Sequence, residues 1–124
     1  MKKYTFLVVD DIYMNRLLLK NLIKKVSDKT FEAEDGSKAI EILKSEKVDF
    51  VLMDIEMPIM NGLETTKYIR EEFSYPLNKI PIIALTAHNP NDFFDDYKDV
   101  GFDYILTKPY SLRTILDTIN NFEF

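Results

Sequence analysis

Cysteine is absent from these 124 residues, histidine occurs once and glycine three times. Without thiols there is neither a disulfide framework nor a thiolate metal site, and a single imidazole cannot build a zinc centre unaided. No internal repeat, low-complexity tract or Ser/Gly linker divides the chain, and 124 residues suit one domain, 1–124. Long apolar stretches are missing as well. Met1-Lys2-Lys3-Tyr4 leads directly into a short run that Asp10 interrupts, too short for a secretory signal or a membrane span, so a cytoplasmic start is expected. Positive charge is in deficit: a formal net charge of -5 offers no attraction to nucleic acid or to an anionic membrane surface.

What is present is an alternation. Hydrophobic residues make up 46% of the chain, ample for a core with two sides. Tyr4 to Val9, Val48 to Met53, Ile80 to Leu85 and Phe102 to Leu106 are near-continuous apolar or β-prone runs, as strands covered on both faces require. Thr30 to Glu34 alternates and is expected at a sheet edge. Helical periodicity fills the intervals: Leu18, Leu22 and Val26; Ala39, Ile40 and Leu43; Leu63, Thr66, Ile69 and Phe73; and Leu112, Ile115, Leu116 and Ile119 behind a capping Ser111. A fourth helix in chain order is predicted over Pro90 to Asp99, where Phe93 and Tyr97 keep the period and Asp92, Asp95, Asp96 and Asp99 make an acidic outer face.

Boundary residues agree with these spans. Asn61 with Glu64 three positions on reads as an N-cap with its N3 partner, and Asn89-Pro90 places proline at a first helical position. Gly36, Gly62 and Gly101 fall in or beside connections. Strands and helices in strict alternation with right-handed crossovers give an α/β fold with an open, doubly wound parallel sheet.

Charges sit where the strands end. Asp10-Asp11, Asp54 and Lys108-Pro109 each follow a strand-like run, and in a parallel sheet those carboxyl ends converge on one edge. Each piece alone has an ordinary explanation, since an Asp-Asp pair after a strand is often a turn with a helix cap. Jointly they put three carboxylates and one ammonium at one place. Like charges that share a site cannot all ionise cheaply, and a hard divalent cation removes the conflict. Oxygen donors without Cys or His point to magnesium, with manganese as a substitute. A nucleophilic carboxylate there would form an acyl phosphate while metal and lysine hold the phosphoryl charge, and Asp54, alone at the end of the central strand, is the candidate.

These strings carry a family resemblance. Val8-Val9-Asp10-Asp11, Met53-Asp54-Ile55-Glu56-Met57-Pro58 with Asn61-Gly62, Ala84-Leu85-Thr86-Ala87 and Thr107-Lys108-Pro109 occur in order, and over essentially its full length the chain resembles a response-regulator receiver domain of two-component signalling. The resemblance implies a flavodoxin-like (βα)5 fold of strand order 2-1-3-4-5, and a phosphotransfer substrate rather than an enzyme acting on a diffusible compound. It implies that Asp54 takes a phosphoryl group from a phosphohistidine on a histidine kinase or histidine phosphotransfer protein. Asp11, Asp54 and the Glu56 backbone carbonyl would ligate magnesium, with Asp10 acting through metal-bound water. Lys108 would pair with the phosphoryl oxygens, and its bond to Pro109 would be cis.

By the same resemblance Thr86 is the switch hydroxyl that draws the following loop and the predicted 90–99 helix with it, moving the face that helix shares with the last strand. The aromatic residue usual three positions before the lysine is replaced by Ile105, with Tyr104 beside it. Glu56 and His88 stand two residues after the aspartate and the threonine, where side chains tune hydrolysis. Asn15-Arg16-Leu17-Leu18 is more like receivers of hybrid kinases and phosphorelays, which leaves two settings: a stand-alone regulator, monomer or weak dimer, or the cytoplasmic part of a membrane-bound hybrid kinase. Other classes compete with this reading: a phosphorylation-independent adaptor, a small phosphatase, and a flavin carrier of related fold. The phosphatase lacks an Asp-x-Asp pair, because Glu56 occupies the second place, and the flavin reading meets an acidic loop after the first strand where a flavin phosphate needs N–H and hydroxyl donors.

Overall fold

A computed structural model describes residues 2–87, 100–109 and 111–121. Five strands, β1 (Tyr4–Val9), β2 (Ser27–Ala33), β3 (Phe50–Asp54), β4 (Ile82–Thr86) and β5 (Tyr104–Thr107), form one parallel sheet in the order β2-β1-β3-β4-β5. The helices are α1 (Tyr13–Ile23), α2 (Gly36–Ser45), α3 (Gly62–Glu72) and α4 (Leu112–Asn120), with a 3-10 turn at Leu77–Lys79. The expected doubly wound sheet and its strand order are observed. The helix predicted over 90–99 lies outside the described residues, so α4 here is the last of the predicted helices. Among the described residues no helix is long and apolar enough to cross a membrane.

Strand side chains alternate between two cores, which is why the strands read as unbroken apolar runs. Phe6, Val8, Phe50, Leu52, Ile83 and Leu85 pack with Leu19 and Ile23 of α1 and Ile115 and Ile119 of α4. Leu7, Val9, Val51, Met53 and Ile82 pack on the other face with Ala39 and Leu43 of α2 and Ile69 of α3. Both faces of the sheet are therefore covered along β1, β3 and β4, and the carboxyl ends of the strands are where a site can open.

Two elements depart from the sequence expectation. The apolar face of α1 runs through Leu19 and Ile23 and on to Val26, while Leu18 is 53% exposed. Leu17, Leu18 and Leu19 are equally apolar, so periodicity alone does not choose the phase; the helix start at Tyr13 does. β2 begins at Ser27 rather than Thr30, because pairing of Tyr4 with Ser27 and Thr5 with Lys29 extends the ladder through residues of weak β preference. It lies at the sheet edge, as expected.

The caps follow the residue chemistry. Asn61 and Glu64 form a reciprocal capping box at α3, Ser111 and Thr114 form another at α4, and Asp35 caps α2 through Lys38 N. At the opposite pole from the strand ends, Arg70 closes the structure. Its guanidinium donates to the carbonyls of Gly101, Asn78 and Ile80 and to Asp103 Oδ2, at 2.8–3.0 Å. Asp103 Oδ2 also accepts from Ile82 N at 2.7 Å, so one ion pair joins α3, β4 and the approach to β5.

Candidate functional site

The carboxyl ends of β1, β3 and β5 bring Asp10, Asp11, Asp54 and Lys108 together. One carboxylate oxygen from each aspartate lies within 4.8 Å of the others. Asp10 ends the β1 run and is fully buried, while Asp11 is exposed. The Asp10 amide donates to Ala33 O at 3.1 Å, which ties the end of β1 to the end of β2. Its Oδ1 accepts from Ile12 N at 2.9 Å, and its Oδ2 is buried without a hydrogen-bond partner. An orphaned buried carboxylate oxygen is costly unless a cation completes it.

Asp54 is the last residue of β3 and is buried. Its Oδ1 lies 3.5 Å from Lys108 Nζ and 3.4 Å from Glu56 N. Burial and the negative charge of Asp10 push the Asp54 carboxyl from its ordinary 3.8 up to about 6, against the opposing pull of Lys108 and the Glu56 amide. The three oxygens, one orphaned and one titrating upward, fit a hard divalent cation: the donor set is all oxygen, and a positive ion would relieve both penalties.

Thr86 ends β4 fully buried, and its carbonyl accepts from Lys108 N at 2.7 Å, which fixes the backbone of the lysine to that strand end. The Lys108-Pro109 bond is cis, as is Tyr75-Pro76. Ile105 is partly buried against Ile55 and Ala84, while Tyr104 is exposed. The Glu56 side chain is exposed beside the site. His88 lies outside the described residues.

Residues not singled out as site residues shape this edge as well. Gly62 packs directly on the end of β3: an added Cβ would come within 2.6 Å of Asp54 O and 2.8 Å of Ile55 Cα. The Gly62 amide donates to Ile55 O at 3.0 Å, so α3 starts against the end of β3. Ile59, in the loop between them, has φ of 70° and is 83% exposed, an unusual backbone state for a β-branched residue. At the N-cap and along α1, Ile12, Tyr13, Met14 and Leu18 are exposed apolar residues. Asn15 and Leu18 line a groove of about 340 Å³ together with Lys108 and Pro109.

Comparison with known proteins gives a consistent picture. The family model described as response regulator receiver domain matches residues 6–120. Hybrid signal transduction histidine kinase A of Dictyostelium discoideum is 36% identical over 115 residues, covering 91% of this chain but only 5% of that protein. The polar-differentiation response regulator DivK of Brucella anthropi is 28% identical and covers 94% of this chain and 93% of its own length. Among solved structures, the Vibrio cholerae chemotaxis protein CheY4 superposes with a TM-score of 0.84 at 27% identity, covering 95% of this chain and 97% of that one. The chain thus spans a small fraction of the hybrid kinases it matches and nearly all of a short response regulator.

Proposed function

Since the chain belongs to the response regulator receiver domain family of two-component signalling, we propose that Asp54 is its phosphoacceptor and that residues 1–124 act as one phosphorylation-controlled switch. The observation that carries this reading is the convergence of Asp10, Asp11 and Asp54 with Lys108 on one sheet edge, with Asp10 Oδ2 left unpartnered.

The chemistry follows from the positions. A carboxylate oxygen of Asp54 attacks phosphorus of a phosphohistidine; the new O–P bond forms as the N–P bond breaks, and the imidazole leaves. With a pKa near 6 Asp54 is mostly ionised at neutral pH, as a nucleophile must be, yet more basic than a free aspartate. Lys108, whose backbone N–H donates to the Thr86 carbonyl, offers its ammonium where the phosphoryl oxygens would arrive. Asp11, Asp54 and the Glu56 carbonyl would hold Mg2+, or Mn2+ in its place, with Asp10 acting through metal-bound water, and the ion would supply positive charge opposite the phosphoryl oxygens. Glu56, exposed beside the site, would tune the hydrolysis that reverses the modification, and His88, two residues after Thr86 in sequence, is assigned the same role by the family resemblance. The Thr86 hydroxyl bonds the phosphoryl group and carries the segment after β4 with it, biasing a two-state element at the β5 edge. Ile105 takes the part that an aromatic residue plays in relatives, with a smaller side chain to transmit the shift.

The donor is a phosphohistidine on a histidine kinase or phosphotransfer protein. Support comes from the exposed apolar residues Ile12, Tyr13, Met14 and Leu18, of which Leu18 lines the groove beside Lys108; such a surface suits an apolar helical face. The chain is a substrate and switch rather than an enzyme with a diffusible substrate. Transfer of label from a phosphohistidine protein to the wild type, abolished in Asp54→Asn, tests the proposal; label retained in that variant contradicts it.

A further inference from the structure

The shortest side-chain contact near the acidic pair belongs to Arg16, a residue with no part in the chemistry above. From the first turns of α1 its Nη1 donates to the Asp10 carbonyl at 2.7 Å, and its Nε donates to Glu32 Oε1 on β2 at 3.1 Å. Lys20 Nζ occupies the other oxygen of Glu32 at 3.1 Å, so that carboxylate is fixed from two sides. Burial disfavours the ionised form of Glu32, but the hydrogen bonds and charges of Lys20 and Arg16 outweigh it and hold the carboxyl below its ordinary value. Glu32 in turn sits on a strand locked to β1, where it pairs with Val8, two residues before Asp10.

Arg16 is therefore a strut between a fixed strand and one carbonyl. That carbonyl belongs to the peptide plane that joins Asp10 to Asp11, and the orientation of a planar peptide determines where the next Cα lies. The residue at the N-cap of α1 is Ile12, which supplies no side-chain cap, so the turn lacks the usual helix-start anchor. Asp10 Oδ1 holds one side of the turn through Ile12 N, and Arg16 holds the other through Asp10 O. Asp11 is exposed, and its direction is inherited from that plane. An arginine that served only as a surface ion pair would need Glu32 and no carbonyl.

We infer that Arg16 is a positioning residue for the metal site: by hydrogen-bonding the Asp10 carbonyl while braced on Glu32, it sets the peptide plane that aims Asp11 at the cation. The inference rests on the metal-dependent reading of the site. It assigns Arg16 no contact with the metal or the phosphoryl group; Glu32 is shared by Arg16 and Lys20, so loss of the guanidinium charge by itself would favour a cation, opposite to the weakening expected here.

Mn2+ titration of the metal-free protein, with free ion followed by electron paramagnetic resonance, tests the inference apart from any phosphorylation. Arg16→Gln and Arg16→Lys should each weaken Mn2+ binding about tenfold, the scale of lost support around a metal ligand. Lysine keeps the charge but cannot span both acceptors. Lys20→Gln, which removes only the second partner of Glu32, should stay within about twofold. Unfolding midpoints in EDTA separate a general loss of stability from a loss of affinity, since a purely structural arginine would move the first and not the second. If Arg16→Gln fails to fold, Glu32→Gln decides, because it frees the guanidinium from β2 and should weaken Mn2+ in the same direction to a smaller extent. Unchanged affinity in folded variants overturns the inference. Absence of Mn2+ binding by the wild type overturns the metal reading itself, a separate and recognisable result.

Discussion

A Cβ placed on Gly62 would stand 2.6 Å from the carbonyl oxygen of Asp54, so the first residue of α3 and the proposed phosphoacceptor can be neighbours only while position 62 has no side chain. The start of α3 and the end of β3 are one packed unit. Gly62→Ala should lower stability by about 1–3 kcal/mol, the usual cost of forcing atoms into a filled site. Because the displaced group is the Asp54 backbone, the same variant should lose Mn2+ affinity, whereas a remote substitution of equal stability cost should not. Urea unfolding and metal titration on the same samples check this.

The acidic edge makes the metal-free protein pH-sensitive. The folded pKa of Asp54 is raised from 3.8 to about 6 by burial and by Asp10, so the native state binds the Asp54 proton more tightly than the unfolded chain. The associated stability is fully present below pH 3.8 and is lost as pH rises through about 6. About two pKa units correspond to ~3 kcal/mol at most. In EDTA, Asp54→Asn should therefore be more stable than wild type at pH 7.5, and the difference should shrink towards pH 4. Saturating Mg2+ should remove most of the difference by stabilising the wild type. Thermal unfolding across that pH range measures both effects.

Arg70 predicts a separation of stability from chemistry. Its donors reach the Gly101, Asn78 and Ile80 carbonyls and Asp103, all at the pole away from the acidic edge. Arg70→Ala removes the donors to those carbonyls and the cation beside Asp103, which keeps its bond from the Ile82 amide, and should cost about 3 kcal/mol. At temperatures where the variant is folded, Asp54 should still be labelled by a small phosphodonor. Chemical denaturation and mass spectrometry supply the two readings.

Ile59 holds a left-handed backbone with a β-branched side chain that is almost wholly exposed. Asparagine tolerates that region better, so Ile59→Asn should raise stability by about 1 kcal/mol in urea unfolding.

Leu18 lies on the exposed side of α1 beside the groove of Lys108 and Pro109. Leu18→Ala should leave the unfolding midpoint nearly unchanged and leave labelling by a small phosphodonor intact. Transfer from a phosphohistidine protein should slow several-fold. A parallel loss with both donors would place Leu18 in the chemistry instead of at a docking face.

Strand positions and the order of charged residues along the chain were legible in the sequence chiefly where a strand is buried on both faces, as β1, β3 and β4 are, so Tyr4–Val9 and its central counterparts announce themselves as apolar runs ending at or just before a polar residue. The phase of α1 was not. It depends on a helix start at Tyr13, beyond a turn that the Asp10 side chain pins through Ile12 N, and no local pattern separates Leu18 from Leu19. The contacts that Arg16, Gly62 and Arg70 make were hidden for a related reason. Their partners are backbone carbonyls or backbone in close approach, and a main-chain oxygen carries no residue identity for a sequence pattern to register. The extended start of β2 likewise comes from pairing with β1 rather than from the preferences of Ser27, Asp28 and Lys29.

The most direct measurement of the proposed switch chemistry is intact-mass and peptide mapping after incubation with a small acyl-phosphate donor, with Mg2+ and with EDTA. One phosphoryl group should appear on the peptide containing Asp54, only when Mg2+ is present, and should be absent in Asp54→Asn and strongly reduced in Lys108→Ala. A modification that persists in EDTA, survives Asp54→Asn or maps to another residue would contradict Asp54 as the metal-assisted phosphoacceptor.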